Sequence, residues 1–177
     1  MALDSDNVRV GVSGAVYVAA TDTAAPTDSS TALDAGFTDL GYVSADGITE
    51  TIDRSTNQIR AWQNGSLVRE VTSEGTYSVE LTFIETSQAV LELYYGSSIT
   101  DGVLDGDPTA TGGRKSFVID VVDGDIVERI YIPAGEITSL GERTIATGEA
   151  IGYQVTITAY ADAGSTTFKK FFSQLES

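Results

Sequence analysis

Asp101, Asp105 and Asp107 lie close together with glycines between them, a pattern that invites a hard cation such as calcium. Calcium loops, however, place oxygen ligands at positions 1, 3, 5 and 12 with glycine at 6, and that spacing is absent here. Gly112-Gly-Arg-Lys-Ser116 has the composition of the end of a phosphate-binding loop. Yet Asp107 stands where the earlier glycine belongs, and Lys115 follows Arg114 rather than glycine. The segment reads as a turn before a strand.

Carboxylate pairs such as Glu80 with Glu85, or Glu50 with Glu92, have the composition of a glycoside hydrolase dyad, which needs two acids at a fixed separation. With 26 acidic residues, pairs of this kind arise by coincidence. The chain has no His and no Cys, which removes imidazole-based triads, the usual zinc sites and disulfides. The expectation is a protein that is not an enzyme and holds no cofactor or metal.

Other features speak of contact instead. Residues 44–70 carry Ile48, Ile52, Ile59, Trp62 and Leu67 as isolated apolar groups among Asp, Thr, Asn, Gln and Arg. A chain of 177 residues has a radius of gyration of roughly 16 Å, whereas half of this excursion, extended, reaches on the order of 40 Å. Such a segment projects beyond its own domain, with Asn64-Gly65 near its far end as a two-residue hairpin turn. Beside Arg60, Trp62 is better suited to anchoring an interface than to stacking on a sugar or base. A mobile surface loop is the plainer alternative.

The elements around this arm follow from pattern. Thr76 to Ile84 alternates, with Tyr77, Val79, Leu81 and Phe83 apolar and Ser78, Glu80 and Thr82 polar, which predicts a strand with one wet face. A helix is predicted over about 86–95, capped by Thr86 or Ser87 and stopped by Gly96. Ile151 to Tyr160 alternates most cleanly, with Gln154, Thr156 and Thr158 on its polar face. Ser116–Val122 and Ile126–Ile132 flank the turn Asp123-Gly-Asp125, with Pro133 expected to end the second strand on an edge and weaker strands expected over 136–145. Residues 9–19 offer a strand, 20–36 an exposed loop and 97–115 a Gly/Asp-rich loop. The tail after Phe172 is expected to order only against a neighbour. The fold class is α+β, mainly β: a β-sandwich or partial barrel with one short helix and a long extended arm, all in one domain spanning 1–177.

A net charge of −16, with ten scattered basic residues, opposes binding of nucleic acid through phosphates. No apolar run is long enough for a membrane-spanning helix, and the acidic start Met1 to Asn7 is unlike a signal peptide, so a cytosolic protein is expected.

Gly41-Tyr-Val-Ser-Ala-Asp-Gly-Ile48, Arg60-Ala-Trp62, and Val79-Glu-Leu-Thr-Phe-Ile-Glu85 leading into Ala89-Val-Leu-Glu-Leu-Tyr-Tyr-Gly96 together resemble the major tail tube proteins of long non-contractile-tailed bacteriophages, in particular those of actinobacteria. The resemblance covers most of the chain and rests on order and spacing. It implies a structural protein of the virion tail, assembled in the host cytoplasm as stacked hexameric rings, each subunit giving four strands to an inner barrel. Partners would be copies of the chain and other tail proteins such as tape measure and terminator, with DNA only as passing cargo. On this reading the arm residues Ile48, Ile52, Arg54, Ile59, Arg60, Trp62, Leu67 and Arg69 contact an adjacent subunit. Ser78, Glu80, Thr82, Gln154, Thr156 and Thr158 face the lumen. Alternatives are a tail terminator or head decoration protein of similar fold, a secreted carbohydrate- or calcium-binding β-sandwich module, and a small enzyme acting through carboxylates alone.

Overall fold

A computed structural model describes residues 7–176; the acidic stretch 1–6 and Ser177 lie outside the described residues. Among the described residues ten strands and one α-helix follow in order: β1 (Ser13–Ala19), β2 (Thr38–Asp39), β3 (Val43–Arg60), β4 (Leu67–Phe83), α1 (Gln88–Tyr95), β5 (Ile99–Thr100), β6 (Val103–Leu104), β7 (Lys115–Asp123), β8 (Ile126–Leu140), β9 (Tyr153–Tyr160) and β10 (Lys169–Phe172). Strands β2-β1-β7-β8-β9-β4-β3 form one antiparallel sheet in that order, with β10 added beside β8, and β5-β6 form a small separate hairpin. The sheet curls so far that β1, next to one end of its order, and the start of β3, at the other end, line one cavity with β7. The result is a partial barrel.

Alternation in the sequence decides which face turns inward. Tyr77, Val79, Leu81 and Phe83 of β4 and Tyr153, Val155, Ile157 and Ala159 of β9 are buried, as are Phe117, Ile119, Ile130 and Ile132 of β7 and β8. Fully burying a side chain such as Phe83 or Ile157 contributes about 2 kcal/mol of transfer free energy. Helix α1 packs Val90, Leu93 and Tyr94 on this core. Its ends follow local chemistry: the Ser87 hydroxyl accepts from the Val90 N–H at 3.3 Å, and Gly96 adopts the left-handed conformation (φ 65°) that other residues resist.

Pro133 does not end its strand. β8 runs on to Leu140 because the sheet changes partners there: β7 and β10 pair with its first half, β9 with residues 134–140. The ladder to β7 slips between Lys115 and Phe117, opposite the proline, and the Ser116 hydroxyl donates to the Pro133 carbonyl at 2.8 Å. A proline, which has no N–H to give, fits at such an irregularity. The expected strands over 136–145 are thus the end of β8, while residues 141–152 form none. β1 begins at Ser13 rather than Arg9.

The C-terminal tail also departs from expectation, since its own chain orders it. Residues Ser173–Leu175 form a 3-10 turn, with the Ser173 hydroxyl accepting from the Val127 N–H at 2.9 Å. The Glu176 carboxylate accepts from the Ser29 N–H (2.8 Å) and hydroxyl (2.7 Å), which is why Ser29 is buried within a largely exposed loop. The same loop is pinned by Arg129, 6 % exposed, which forks onto Asp120 at 2.8 and 2.9 Å and donates to the Asp28 and Thr31 carbonyls.

Candidate functional site

The polar residues of β4 and β9 face one another across the ladder. Ser78 lies opposite Thr158, Glu80 opposite Thr156 and Thr82 opposite Gln154. Residues directly opposite in an antiparallel pair share a face, so these six form one hydrophilic patch over the sheet's outer side. The Gln154 amide donates to Glu80 Oε1 at 2.6 Å.

The patch extends further than sequence reasoning reached. On β3, Thr49 stands opposite Glu80 and Thr51 opposite Ser78. On β8, Glu136 stands opposite Thr158 and Ser139 opposite Thr156, with the Thr138 and Thr158 hydroxyls 2.6 Å apart. β3 hides this in sequence because few of its residues are apolar, and β8 because a bulge between Ile137 and Ser139 breaks the period of two. The outcome is a four-strand polar surface, β8-β9-β4-β3. Among the described residues no strand pairs with the outer edge of β3, and none pairs with the free side of β8 beyond Gly135.

Past Tyr77, its last residue paired to β9, β4 continues with β3 as a two-stranded ribbon. Residues 53–76 are exposed throughout, apart from the half-buried Ala61. Asn64 (φ 58°) and Gly65 (φ 63°) both take left-handed conformations at the tip, as a type I′ turn requires. The excursion is therefore an ordered hairpin rather than a wandering loop. Trp62 is 97 % exposed at the tip, and Ile52, Ile59 and Leu67 are about half exposed. Ile48 differs from the rest of the arm residues, because it packs against the chain's own core. Arg60 steadies the tip, donating to the Gly65 carbonyl (3.2 Å) and Gln58 Oε1 (2.8 Å). Arg54 and Arg69 make no ion pair among the described residues.

The root of the ribbon is a knot of charge and aromatic surface. Tyr77 donates to Glu50 Oε1 at 3.0 Å, and Lys170 Nζ reaches Glu50 at 2.7 Å and Glu128 at 2.9 Å. Burial, reinforced by the Glu50 charge, pushes the Tyr77 hydroxyl far above its ordinary value. Burial works against the Lys170 charge, but hydrogen bonds to the two glutamates outweigh it and raise its pKa.

The residues first weighed for chemistry are placed apart. Glu80 is bound to Gln154, Glu85 accepts from the Tyr42 N–H at 3.2 Å, Glu92 accepts from Gln88 (2.8 Å) and the Ile99 N–H (2.9 Å), and Glu50 belongs to the root. Asp107 accepts from the N–H and hydroxyl of Thr109, which hold its carboxyl below the usual range. Asp101 sits in the β5–β6 turn with φ 52°. Arg114 lies over the Tyr160 ring, 4.4 Å from its centroid. Among the described residues no three acids gather as a metal site.

A family model described as phage tail tube protein matches residues 1–174. Among solved structures, the cryo-EM structure of the anti-feeding prophage cap (AFP tube terminating cap) is similar at 14 % identity, with a TM-score of 0.46 over 96 % of this chain and 98 % of that one. No curated protein matches the sequence.

Proposed function

The chain belongs to the phage tail tube protein family, a structural component of the virion tail, and from that premise we propose that it polymerises with itself as hexameric rings stacked into a tube. The tube is the conduit through which the genome enters the host. The observation that carries this reading is the four-strand polar face with an unpaired edge on each side. Open edges are satisfied by pairing with another chain, and the free side of β8 in one copy suits the edge of β3 in the next. Six such segments give a barrel with a backbone diameter of roughly 48 Å, which leaves a bore of roughly 38 Å once side chains are allowed for.

Wall chemistry supports the same role. Ser78, Glu80, Thr82, Gln154, Thr156 and Thr158 line the lumen in this arrangement, together with Thr49, Thr51 and Glu136 on the flanking strands. Hydroxyls, an amide and carboxylates hold water and offer phosphates no cation, so DNA passes as cargo without being bound. The ribbon contacts an adjacent subunit through Ile52, Arg54, Ile59, Arg60, Trp62, Leu67 and Arg69. An isolated two-stranded ribbon is marginally stable in water, and a neighbour's surface supplies the missing support. Tape measure and terminator proteins are the expected tail partners, and assembly takes place in the host cytoplasm.

Electron microscopy of the purified chain, combined with labelling of Thr156→Cys, tests this. Tubes are expected in which the new thiol reacts with a small maleimide and is shielded from one carried on a particle wider than the bore. A persistent monomer at high concentration, or tubes in which both reagents react equally, would overturn it.

A further inference from the structure

Between β1 and the first residues of β3 lies a cavity of about 590 Å³. Gly14, Ala15, Ala45 and Gly47 leave room in its wall, which the larger Tyr42 and the buried Val16 and Ile119 also line. Ser44–Gly47 bulge out of the β3–β4 ladder, since Val43 pairs with Phe83 and the next partner pair is Ile48 with Leu81. On the other side the outer edge of β1 is open over Ser13–Ala15, because β2 covers only Tyr17 and Val18. The molecule has an open cavity with ample room for an indole at the start of β3, and an exposed indole at the ribbon's tip.

We propose that the Trp62 tip of one copy seats in this cavity of the next, locking subunits head to tail along the tube; the proposal rests on the reading of the chain as a self-assembling tube subunit. Reach supports it. Phe83 to Gly65 is about 60 Å of strand, which at a tilt near 40° advances about 45 Å along the tube axis. A globule of this size is roughly 40 Å across, so a copy displaced by one body length presents its cavity to the tip. A contact that joins different ends of the same molecule repeats without limit, as a tube requires.

Charge agrees as well. In residues 53–76, Asp53, Glu70 and Glu74 are balanced by Arg54, Arg60 and Arg69, so the ribbon is locally neutral in a chain of net charge −16. It therefore approaches an acidic neighbour without the repulsion that two bodies of the chain feel. Arg60, two residues from Trp62, uses two donors within the tip and retains others for Asp46 at the cavity, which among the described residues is hydrogen-bonded to Ser44 alone.

The full chain offers two clean readouts, because Trp62 is its only tryptophan and it has no cysteine. On polymerisation the tryptophan emission should shift to the blue and lose most of its acrylamide quenching. The double variant Ala45→Cys, Gln63→Cys, assembled and mildly oxidised, should run on a denaturing gel as a ladder of multimers. Tubes with a still-quenchable tryptophan overturn the proposal. So do tubes with a shielded tryptophan and no 45–63 crosslink, which leave the ribbon as a subunit contact with a different receptor. Absence of tubes under all conditions overturns this proposal and the tube reading together.

Discussion

The phenol ring of Tyr77 lies on the ring of Phe168, with centroids 4.0 Å apart and planes at 19°. Tyr77 is the last residue of β4 held by β9, so the stack marks the place where the ribbon leaves the body. Phe168 precedes β10 and is half-buried against the core. Phe168→Ala should cost about 2 kcal/mol, less than for a fully buried ring. Urea unfolding would read this as a lower midpoint at unchanged slope, and a change under 0.5 kcal/mol would show that the stack is incidental.

Because Asp53 and Thr76 are directly paired, residues 54–75 can be replaced by Asn-Gly, giving a short hairpin with the turn the register allows. The exposed segment contributes little to the core, so the melting temperature should stay within a few degrees of the parent. Polymerisation should be lost. Normal tubes from this variant would show that the ribbon is dispensable.

Glu80 sits in the middle of the polar face, bound to Gln154. Glu80→Lys replaces an acid by a base at every repeat of the proposed wall. Duplex DNA should then co-sediment with tubes at low salt and be released as salt rises, whereas the parent should retain none. Equal retention by both would mean that this face does not meet the duplex.

The Ile99 N–H, and secondarily the Gln88 amide, hold the carboxyl of Glu92, midway along α1, below the usual range. A carboxylate with a lowered folded-state pKa contributes stability that is present above its unfolded value, about 4.3, and is lost as pH falls through the folded value. Glu92→Gln should therefore flatten the acid limb of the stability curve below about pH 4, while Asp28 and Asp107, lowered likewise, keep some slope. Identical acid limbs in parent and variant would contradict this.

Most of the fold was legible wherever one face of an element is wet and the other dry. β9, the paired part of β4 and α1 announce themselves through alternation, a serine cap and a terminal glycine, because burial and backbone hydrogen bonding act within a few residues. What stayed hidden depends on non-local partners. Nothing near Pro133 signals that β8 exchanges β7 for β9, and nothing near Ser29 signals that Glu176 returns to hold it. The polar surface was half visible: its β4 and β9 residues alternate in sequence, whereas Thr49, Thr51 and Glu136 join it only through register.

β4 passes without a break from Leu81, enclosed by the core, to Val71, with water on both sides. Amide protons along this one strand should accordingly span nearly the whole range of exchange protection, from global unfolding to local fraying. A solitary chain would take up deuterium first over 54–60 and 67–75. The polypeptide thus carries its own gauge of engagement, readable by mass spectrometry as the moment when its fastest amides become as slow as its slowest.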